Sequence, residues 1–111
     1  MSTIFAKIIR KELPATVVFE NKRILAIEDL HPIAPIHILI MPKKEIPNFQ
    51  SIASEDWSLI QEIFSLAQDL AKKYHIEEGY RLSTNNGERA GQTIFHLHFH
   101  LIGGRRLGLL A

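Results

Sequence analysis

Residues 95–102 alternate strictly between apolar and polar side chains. The segment reads Phe-His-Leu-His-Phe-His-Leu-Ile, and it contains three of the six histidines in the chain. Successive side chains of a β-strand point to opposite faces of the sheet, so the pattern predicts a strand with one apolar face and one face of imidazoles. Side chains on one face follow each other at roughly 6.6 Å along a strand. We expect the apolar face to pack against a helix and the imidazoles to face a functional site.

The remaining elements are short and closely spaced. Apolar residues at helical spacing predict a short helix over residues 3–11 and a long helix over residues 55–74. β-Branched and apolar runs predict five strands, at residues 16–20, 24–29, 36–41, 80–85 and 93–102. The order β-β-β-α-β-β leaves little room for parallel crossovers, so we expect an α+β fold with an antiparallel sheet of about five strands. A small sheet has an exposed edge, which a homodimer would cover.

The composition fits a single domain over residues 1–111. Hydrophobic residues make up 46% of the chain and charged residues 23%, which is typical of a globular protein rather than a disordered one. Thirteen basic residues nearly balance twelve acidic ones, which gives no electrostatic case for nucleic acid or a membrane surface as the partner. The absence of Cys excludes disulfides, thiolate metal ligands and cysteine nucleophiles. Without a signal-peptide pattern or an apolar run of about 20 residues, we expect a cytoplasmic protein.

The row of histidines has three interpretations. It can be an ordinary solvated face, although three histidines in strict alternation are improbable by chance. It can bind a metal, since imidazole suits zinc or iron, but three ligands on one straight strand spread over roughly 13 Å and only two would reach one ion. It can perform chemistry at phosphorus, because neutral imidazole, with a reference pKa of about 6.5, is a competent nucleophile near neutral pH. We favour the third interpretation.

The pattern His-apolar-His-apolar-His-apolar-apolar over residues 96–102 resembles the motif of the histidine triad (HIT) family. Other segments are similar to the Hint branch of this family, and they are residues 4–9, Pro14, residues 35–37, 41–44, 91–92 and 103–105. The Fhit branch, which cleaves dinucleoside polyphosphates, is less similar. The resemblance covers nearly the whole chain.

This resemblance implies a homodimer of α+β subunits whose central strands join into one continuous sheet. It implies a purine nucleotide substrate and hydrolysis of nucleoside 5′-phosphoramidates or related nucleotidyl conjugates, such as an aminoacyl adenylate, with no metal or other cofactor. Two alternatives stay open: a dinucleoside polyphosphate hydrolase of the Fhit type, and a nucleotide-binding regulatory module in which catalysis is incidental.

The resemblance also assigns roles to individual residues. It implies that His98 is the nucleophile that forms a nucleotidyl-histidine, and that the backbone carbonyl of His96 fixes the tautomer of His98. His100 would contact the phosphate and assist the leaving amine, and His37 is similar to the fourth histidine that the family places beside the triad. The implied nucleotide contacts are Asp29 for the ribose, Asn85, Gly91, Gln92 and Thr93 for the phosphate, and Ile4, Phe5, Leu13 and Ile27 for the base.

The chain departs from the Hint pattern at a few positions. Glu28 and Glu45 stand where that branch often has histidine, and Glu88 and Arg89 form a charged pair in a loop that is usually more neutral. The C-terminus lacks the tryptophan-proline tail of many Hint proteins. We interpret Glu45 as peripheral. The charged pair bears on the leaving-group side, and the missing tail bears on the substrate preference.

Overall fold

The structure, a computed structural model, describes residues 2–110. The elements are α1 (Ile4–Ile9), β1 (Val17–Glu20), β2 (Ile24–Glu28), β3 (Ile36–Pro42), α2 (Trp57–Lys73), β4 (Tyr80–Ser83) and β5 (Phe99–Gly103). Short 3₁₀ turns lie at Phe49–Ser51, Ser54–Asp56 and Glu88–Ala90. All strand pairs are antiparallel, and the strands form one sheet in the order β1-β2-β3-β5-β4. The predicted α+β fold is confirmed. Within residues 2–110, none of the helices combines the length and apolarity needed to cross a bilayer.

Helix α2 covers one face of the sheet and forms the main core with it. Its buried positions recur at helical spacing, as the sequence predicted. From the last strand and the residues just before it, Leu97, Phe99 and Leu101 join the same core. The predicted apolar face of the histidine segment is therefore confirmed for these three residues, whereas Phe95 stays 46% exposed. The α2 residues in this core are Leu59, Ile60, Ile63, Leu66, Ala67, Leu70 and Ala71.

Helix α1 packs on the opposite face of the sheet. Thr3 caps it, because the Thr3 hydroxyl oxygen accepts a hydrogen bond from the Ala6 N–H at 3.1 Å. The helix ends at Ile9, two residues earlier than predicted, since Lys11 adopts φ 65° and turns the chain away. Phe5 and Ile8 form a second apolar cluster with Leu25, Ile27, Leu39 and Met41 of the central strands. Because α1 is short, it covers only part of this face.

Strand β5 begins at Phe99 and not at residue 93 as the alternation predicted. Its partner β3 pairs only as far as Ile40, opposite Phe99, so residues 93–98 run beyond the ladder. Their hydrogen bonds go elsewhere, and the Leu97 N–H donates to the Ile46 carbonyl at 2.6 Å. The alternation of side chains persists through this irregular stretch although the ladder does not.

The register of β3 and β5 places two histidines close together. Leu39 lies opposite His100, and His37 lies opposite Ile102. Since residues i and i+2 of a strand share a face, His37 is a diagonal neighbour of His100 on the face away from α2. The central strand therefore brings a histidine from a distant part of the sequence to the histidine segment.

The close approach at Gly103 generates a test of this packing. A Cβ atom at Gly103 would lie 2.8 Å from Ile76 Cδ1 and 3.3 Å from Tyr80 Cβ, whereas one at Gly79 would meet nothing within 4 Å. We expect Gly103→Ala to lower the free energy of unfolding by about 1–3 kcal/mol through overpacking. Gly79→Ala is the matched control and should be neutral or slightly stabilising. Urea denaturation measures both, and equal stabilities of the two variants would contradict this packing.

Candidate active site

A cavity of about 350 Å³ opens on the sheet face that α1 leaves uncovered. Helix α1, strands β2 and β3, and the loop before β5 form its walls. One side is apolar, and the other side presents His98 and His100 together with Asp29. A wider depression at residues 75–79 and 104–105 contains none of the triad histidines. The cavity with the histidines is therefore the candidate site.

His98 is fixed by hydrogen bonds at its ring and at its backbone. Its Nδ1 lies 2.7 Å from the His96 carbonyl oxygen. A carbonyl only accepts, so Nδ1 donates its proton and Nε2 keeps its lone pair. The Thr84 hydroxyl donates to the His98 carbonyl at 2.7 Å, and the Phe5 ring stands edge-on at 4.9 Å between ring centroids. His98 therefore offers an unprotonated, basic nitrogen in a fixed orientation.

His96 is buried beneath the cavity, with only 1% of its surface exposed. Its Nε2 donates to the Pro42 carbonyl at 2.7 Å. Its Nδ1 has no hydrogen-bond partner within residues 2–110. His96 does not line the cavity. Its side chain fastens the segment to the end of β3, and its carbonyl orients His98.

His100 belongs to a chain of hydrogen bonds that begins in the loop before β3. The Ile33 N–H donates to His37 Nδ1 at 3.2 Å, so the proton of neutral His37 resides on Nε2. His37 Nε2 lies 2.9 Å from His100 Nδ1 and 3.3 Å from Asp29 Oδ2. His100 Nδ1 therefore accepts, and the His100 proton resides on Nε2. Asp29 is further held by the His31 N–H, which donates to its Oδ1 at 2.8 Å.

Burial keeps these imidazoles neutral. It is the main cause that lowers the pKa of His37, His96 and His98 below the usual value. The pKa of His100 is lowered to about 4 by burial first and then by the repulsion that its protonated ring would meet from protonated His98 and His37. At pH 7 the site thus presents a lone pair on His98 and an N–H on His100, the two rings lying 5.1 Å apart between centroids.

Asp29, His37 and His100 could in principle hold a metal, since their ligand atoms lie within 4.8 Å of one another. A histidine coordinates a metal through a lone pair. His37 Nε2, the nitrogen in this cluster, carries the ring proton because Nδ1 accepts from Ile33. The hydrogen bonding therefore favours a chain of imidazoles over metal coordination at this cluster.

Most residues predicted to contact the nucleotide line the cavity. They are Ile4, Phe5, Ile27, Asp29, Asn85, Gly91, Gln92 and Thr93. Leu13 does not, because it lies beside a neighbouring depression with Lys11 and Val17, past the end of α1. His37 reaches the site only through its contacts with His100 and Asp29. Sequence reasoning missed further lining residues, and these are Ile8, Pro14, Ala15, Glu28, Leu30, His31, Leu39 and Ile94. The sequence could have indicated Leu39, since it lies two residues after His37 and therefore on the same face of β3.

Gln92 borders the cavity, but its side-chain amide is hydrogen-bonded within the protein. Its Nε2 donates to the carbonyls of Pro47 and Ile94, at 2.8 and 3.1 Å, and its Oε1 accepts from the Gly87 N–H at 2.8 Å. The Gln92 amide was predicted to donate to the phosphate. The two bonds to Pro47 and Ile94 occupy both of its N–H groups. Gln92 therefore shapes the loop that carries Gly91 and Thr93.

Comparisons with known proteins identify one family of the same fold. The model of the HIT domain matches residues 10–107. A HIT-like protein of Chlamydia pneumoniae is 47% identical over 109 residues, which cover 98% of this chain and 99% of that protein. Two solved structures are similar. A HIT family hydrolase of Legionella pneumophila has a TM-score of 0.94 at 44% identity, with 96% of each chain covered. A histidine triad nucleotide-binding protein of Candida albicans has a TM-score of 0.82 at 32% identity and covers 99% of this chain and 84% of its own.

The low pKa of His100 predicts how stability depends on pH. The unfolded chain binds a proton at His100 near pH 6.5, whereas the folded chain binds it near pH 4. Between these values the unfolded state binds more protons, so the free energy of unfolding falls as the pH falls. We expect the melting temperature to be lower at pH 4.5 than at pH 7.5.

His100→Asn should reduce this pH dependence, because the amide oxygen can still accept from His37 but does not titrate. His75→Asn is the matched control, since His75 is exposed and adopts φ 58°, which Asn tolerates. Differential scanning calorimetry at the two pH values measures the effect. An unchanged pH dependence in His100→Asn would show that His100 titrates normally in the folded chain.

Proposed function

Because the chain belongs to the histidine triad family, we propose that it hydrolyses purine nucleoside 5′-phosphoramidates and related nucleotidyl conjugates, as the Hint branch does. The observation that carries the proposal is His98, whose Nδ1 is tied to the His96 carbonyl and whose Nε2 lone pair is free at a nucleotide-sized cavity. The similarity to a HIT family hydrolase and to a histidine triad nucleotide-binding protein supports it.

The reaction proceeds in two displacements at phosphorus. His98 Nε2 attacks the α-phosphorus, the phosphorus–nitrogen bond to the amine breaks, and the departing amine takes up a proton from solvent water. Water then attacks the nucleotidyl-histidine, releases the nucleoside monophosphate and gives back a proton, so the enzyme ends unchanged. A covalent intermediate of this kind replaces one difficult step by two easier ones. His98 is suited to it because its neutral form is maintained by burial.

His100 acts as a neutral hydrogen-bond donor to the phosphate. Its pKa of about 4 leaves it uncharged at pH 7, with the proton on Nε2. A fixed N–H directed at the non-bridging oxygens stabilises charge that develops in the transition state. This role differs from the assistance to the leaving amine that the family resemblance implies, since a neutral imidazole is a poor acid.

The cavity accommodates the rest of the nucleotide. Asp29 offers a carboxylate that accepts from the His31 N–H and retains further lone pairs for the ribose hydroxyls. Apolar side chains of α1 and β2, chiefly Ile4, Phe5 and Ile27, form a wall for the base. Gly91, with φ 91° and ψ 10°, allows the loop backbone to turn toward the phosphate. A purine base could be recognised by apolar contact with these side chains.

We also propose that the protein acts as a homodimer. Strand β4 is an edge strand of the sheet, and Tyr80 on it is partly exposed. On α2, Trp57 and Phe64 are exposed and lie two turns apart on one side of the helix. Phe64 touches Phe99 of β5 at 5.3 Å between ring centroids, so this side faces the edge formed by β4. A second copy would cover both the edge and the exposed aromatic rings.

Replacing the nucleophile is the direct test of the activity. We expect His98→Ala to lower kcat for adenosine 5′-phosphoramidate by at least about 1,000-fold. AMP binding and folding should persist, because the side chain is at the cavity surface. His75→Asn, far from the cavity, should retain full activity. Acid quenching of wild-type turnover followed by mass spectrometry should detect a nucleotidyl group on His98.

The same assay separates the alternatives. Turnover that survives in His98→Ala would reject the nucleophile. Faster cleavage of diadenosine polyphosphates than of the phosphoramidate would favour the Fhit-type activity. Tight AMP binding with wild-type turnover near the uncatalysed rate would favour a regulatory module.

The dimer is tested by a charge on its proposed interface. We expect Phe64→Asp to yield a monomer, because an aspartate there would be buried without a partner. Gln61→Asp is the matched control, since Gln61 lines a depression on the side of α2 that faces β1 and β2. Light scattering after gel filtration measures both masses, with circular dichroism to confirm folding. A monomeric wild-type protein, or a dimeric Phe64→Asp variant, would contradict the interface.

A further inference from the structure

We infer that the backbone N–H of Ile33 sets the tautomer of His100 through His37, and that Arg105 holds Ile33 in place for this purpose. The inference rests on the proposed function, since it concerns whether the His100 nitrogen that meets the substrate carries a proton. Neither Ile33 nor Arg105 lines the cavity. Both are positioning residues, because they act on the reaction through other groups.

The direction of the hydrogen-bond chain is fixed at its beginning. A backbone N–H can only donate, so its 3.2 Å contact requires a lone pair on His37 Nδ1. The ring proton of His37 must then be on Nε2, which lies 2.9 Å from His100 Nδ1. If His37 adopted the other tautomer, its Nδ1–H would face the Ile33 N–H, and both rings would have to exchange donor and acceptor roles.

Asp29 acts in the same direction. Its Oδ2 lies 3.3 Å from His37 Nε2, and a carboxylate beside a ring nitrogen favours a proton on that nitrogen. Ile33 on one side of the His37 ring and Asp29 on the other therefore favour the same tautomer. The result is that His98 and His100, two residues apart, are held in opposite tautomers, one with a free lone pair and one with a free N–H.

The segment after β5 fastens the loop that provides the Ile33 N–H. Arg105 Nη2 donates to the Ile33 carbonyl at 2.8 Å. At the preceding residue, a Cβ on Gly104 would lie 3.0 Å from Pro35 Cβ, so the absence of a side chain lets the loop lie close. The strand that carries His100 thus continues directly into the residue that orients the loop controlling its tautomer.

The contacts of Arg105 suit a positioning role more than a stabilising one. Arg105 is exposed, and an exposed hydrogen bond contributes little to the free energy of unfolding. Ile33 is also exposed, so its side chain packs little. Variants at both positions should therefore fold while their effect on His37 and His100 is measured.

The test removes the hydrogen-bond donor to His37. Ile33→Pro replaces the N–H by the Cδ of the proline ring and so breaks the contact with His37 Nδ1, whereas Ile33→Ala is the matched control that retains the N–H. Protein labelled with ¹⁵N at histidine gives long-range ¹H–¹⁵N spectra that report which ring nitrogen is protonated, and single His→Asn variants assign the signals. We expect Ile33→Pro to lower the ratio of Nε2-protonated to Nδ1-protonated His37 and His100 by about five-fold relative to Ile33→Ala, the bias of one typical hydrogen bond.

His98 is an internal reference in the same spectra. Its tautomer depends on the His96 carbonyl, so its signals should not change in either variant. Where the proposed activity is present, kcat of Ile33→Pro should fall in proportion to the lost tautomer at an unchanged KM. Arg105→Ala should shift the same ratio in the same direction, and Arg105→Lys should restore it in part, because lysine can also donate to the Ile33 carbonyl.

The measurement of the tautomers can succeed or fail independently of the activity assay. If Ile33→Pro and Arg105→Ala leave the His37 and His100 tautomers equal to those of Ile33→Ala and the wild type, the inference is overturned whatever the activity. If the wild-type protein forms no nucleotidyl-histidine, the proposed function fails, while the spectra still decide the tautomers. Should Ile33→Pro not fold, the Arg105 variants carry the test alone.

Discussion

The pairing of β3 with β5 is the constraint on which the rest of the site depends. Its register places Leu39 opposite His100 and makes His37 a diagonal neighbour of that ring. Because the ladder ends at Phe99, the residues before it form other contacts. The Leu97 N–H donates to the Ile46 carbonyl, and the His96 side chain donates to the Pro42 carbonyl. A shift of one residue would turn the histidines toward α2 and the apolar core residues toward the cavity.

The chemistry of the site follows from burial and hydrogen bonding together. Burial lowers the pKa of each imidazole, so the rings are neutral at pH 7 and their tautomers become the decisive property. The hydrogen-bond partners then divide the roles, since the His96 carbonyl gives His98 a lone pair at Nε2 and His37 gives His100 a proton at Nε2. In the proposed reaction, a neutral nucleophile beside a neutral donor requires no charged side chain next to the phosphorus.

The apolar architecture was the most predictable part. Helix α2, the strand order along the chain and the burial of Leu97, Phe99 and Leu101 follow from hydrophobic periodicity, which depends only on local geometry. Prediction failed where a residue's position or hydrogen bonds depend on a residue far away in the sequence. The start of β5 depends on where its pairing with β3 stops, and the use of the Gln92 amide depends on Pro47. Leu13 lies outside the cavity because the chain turns away after Lys11.

His98 and His100 show what the sequence by itself determined and what it did not. The contact that fixes the tautomer of His98 comes from a carbonyl two residues away, so the motif itself contains both partners of that contact. The tautomer of His100 depends on His37, 63 residues away, and on the loop that Arg105 fastens across the end of the sheet. No local pattern encodes that contact, because it exists only once β3 and β5 have paired. Tertiary structure therefore decided whether the His100 nitrogen away from His37 carries the ring proton.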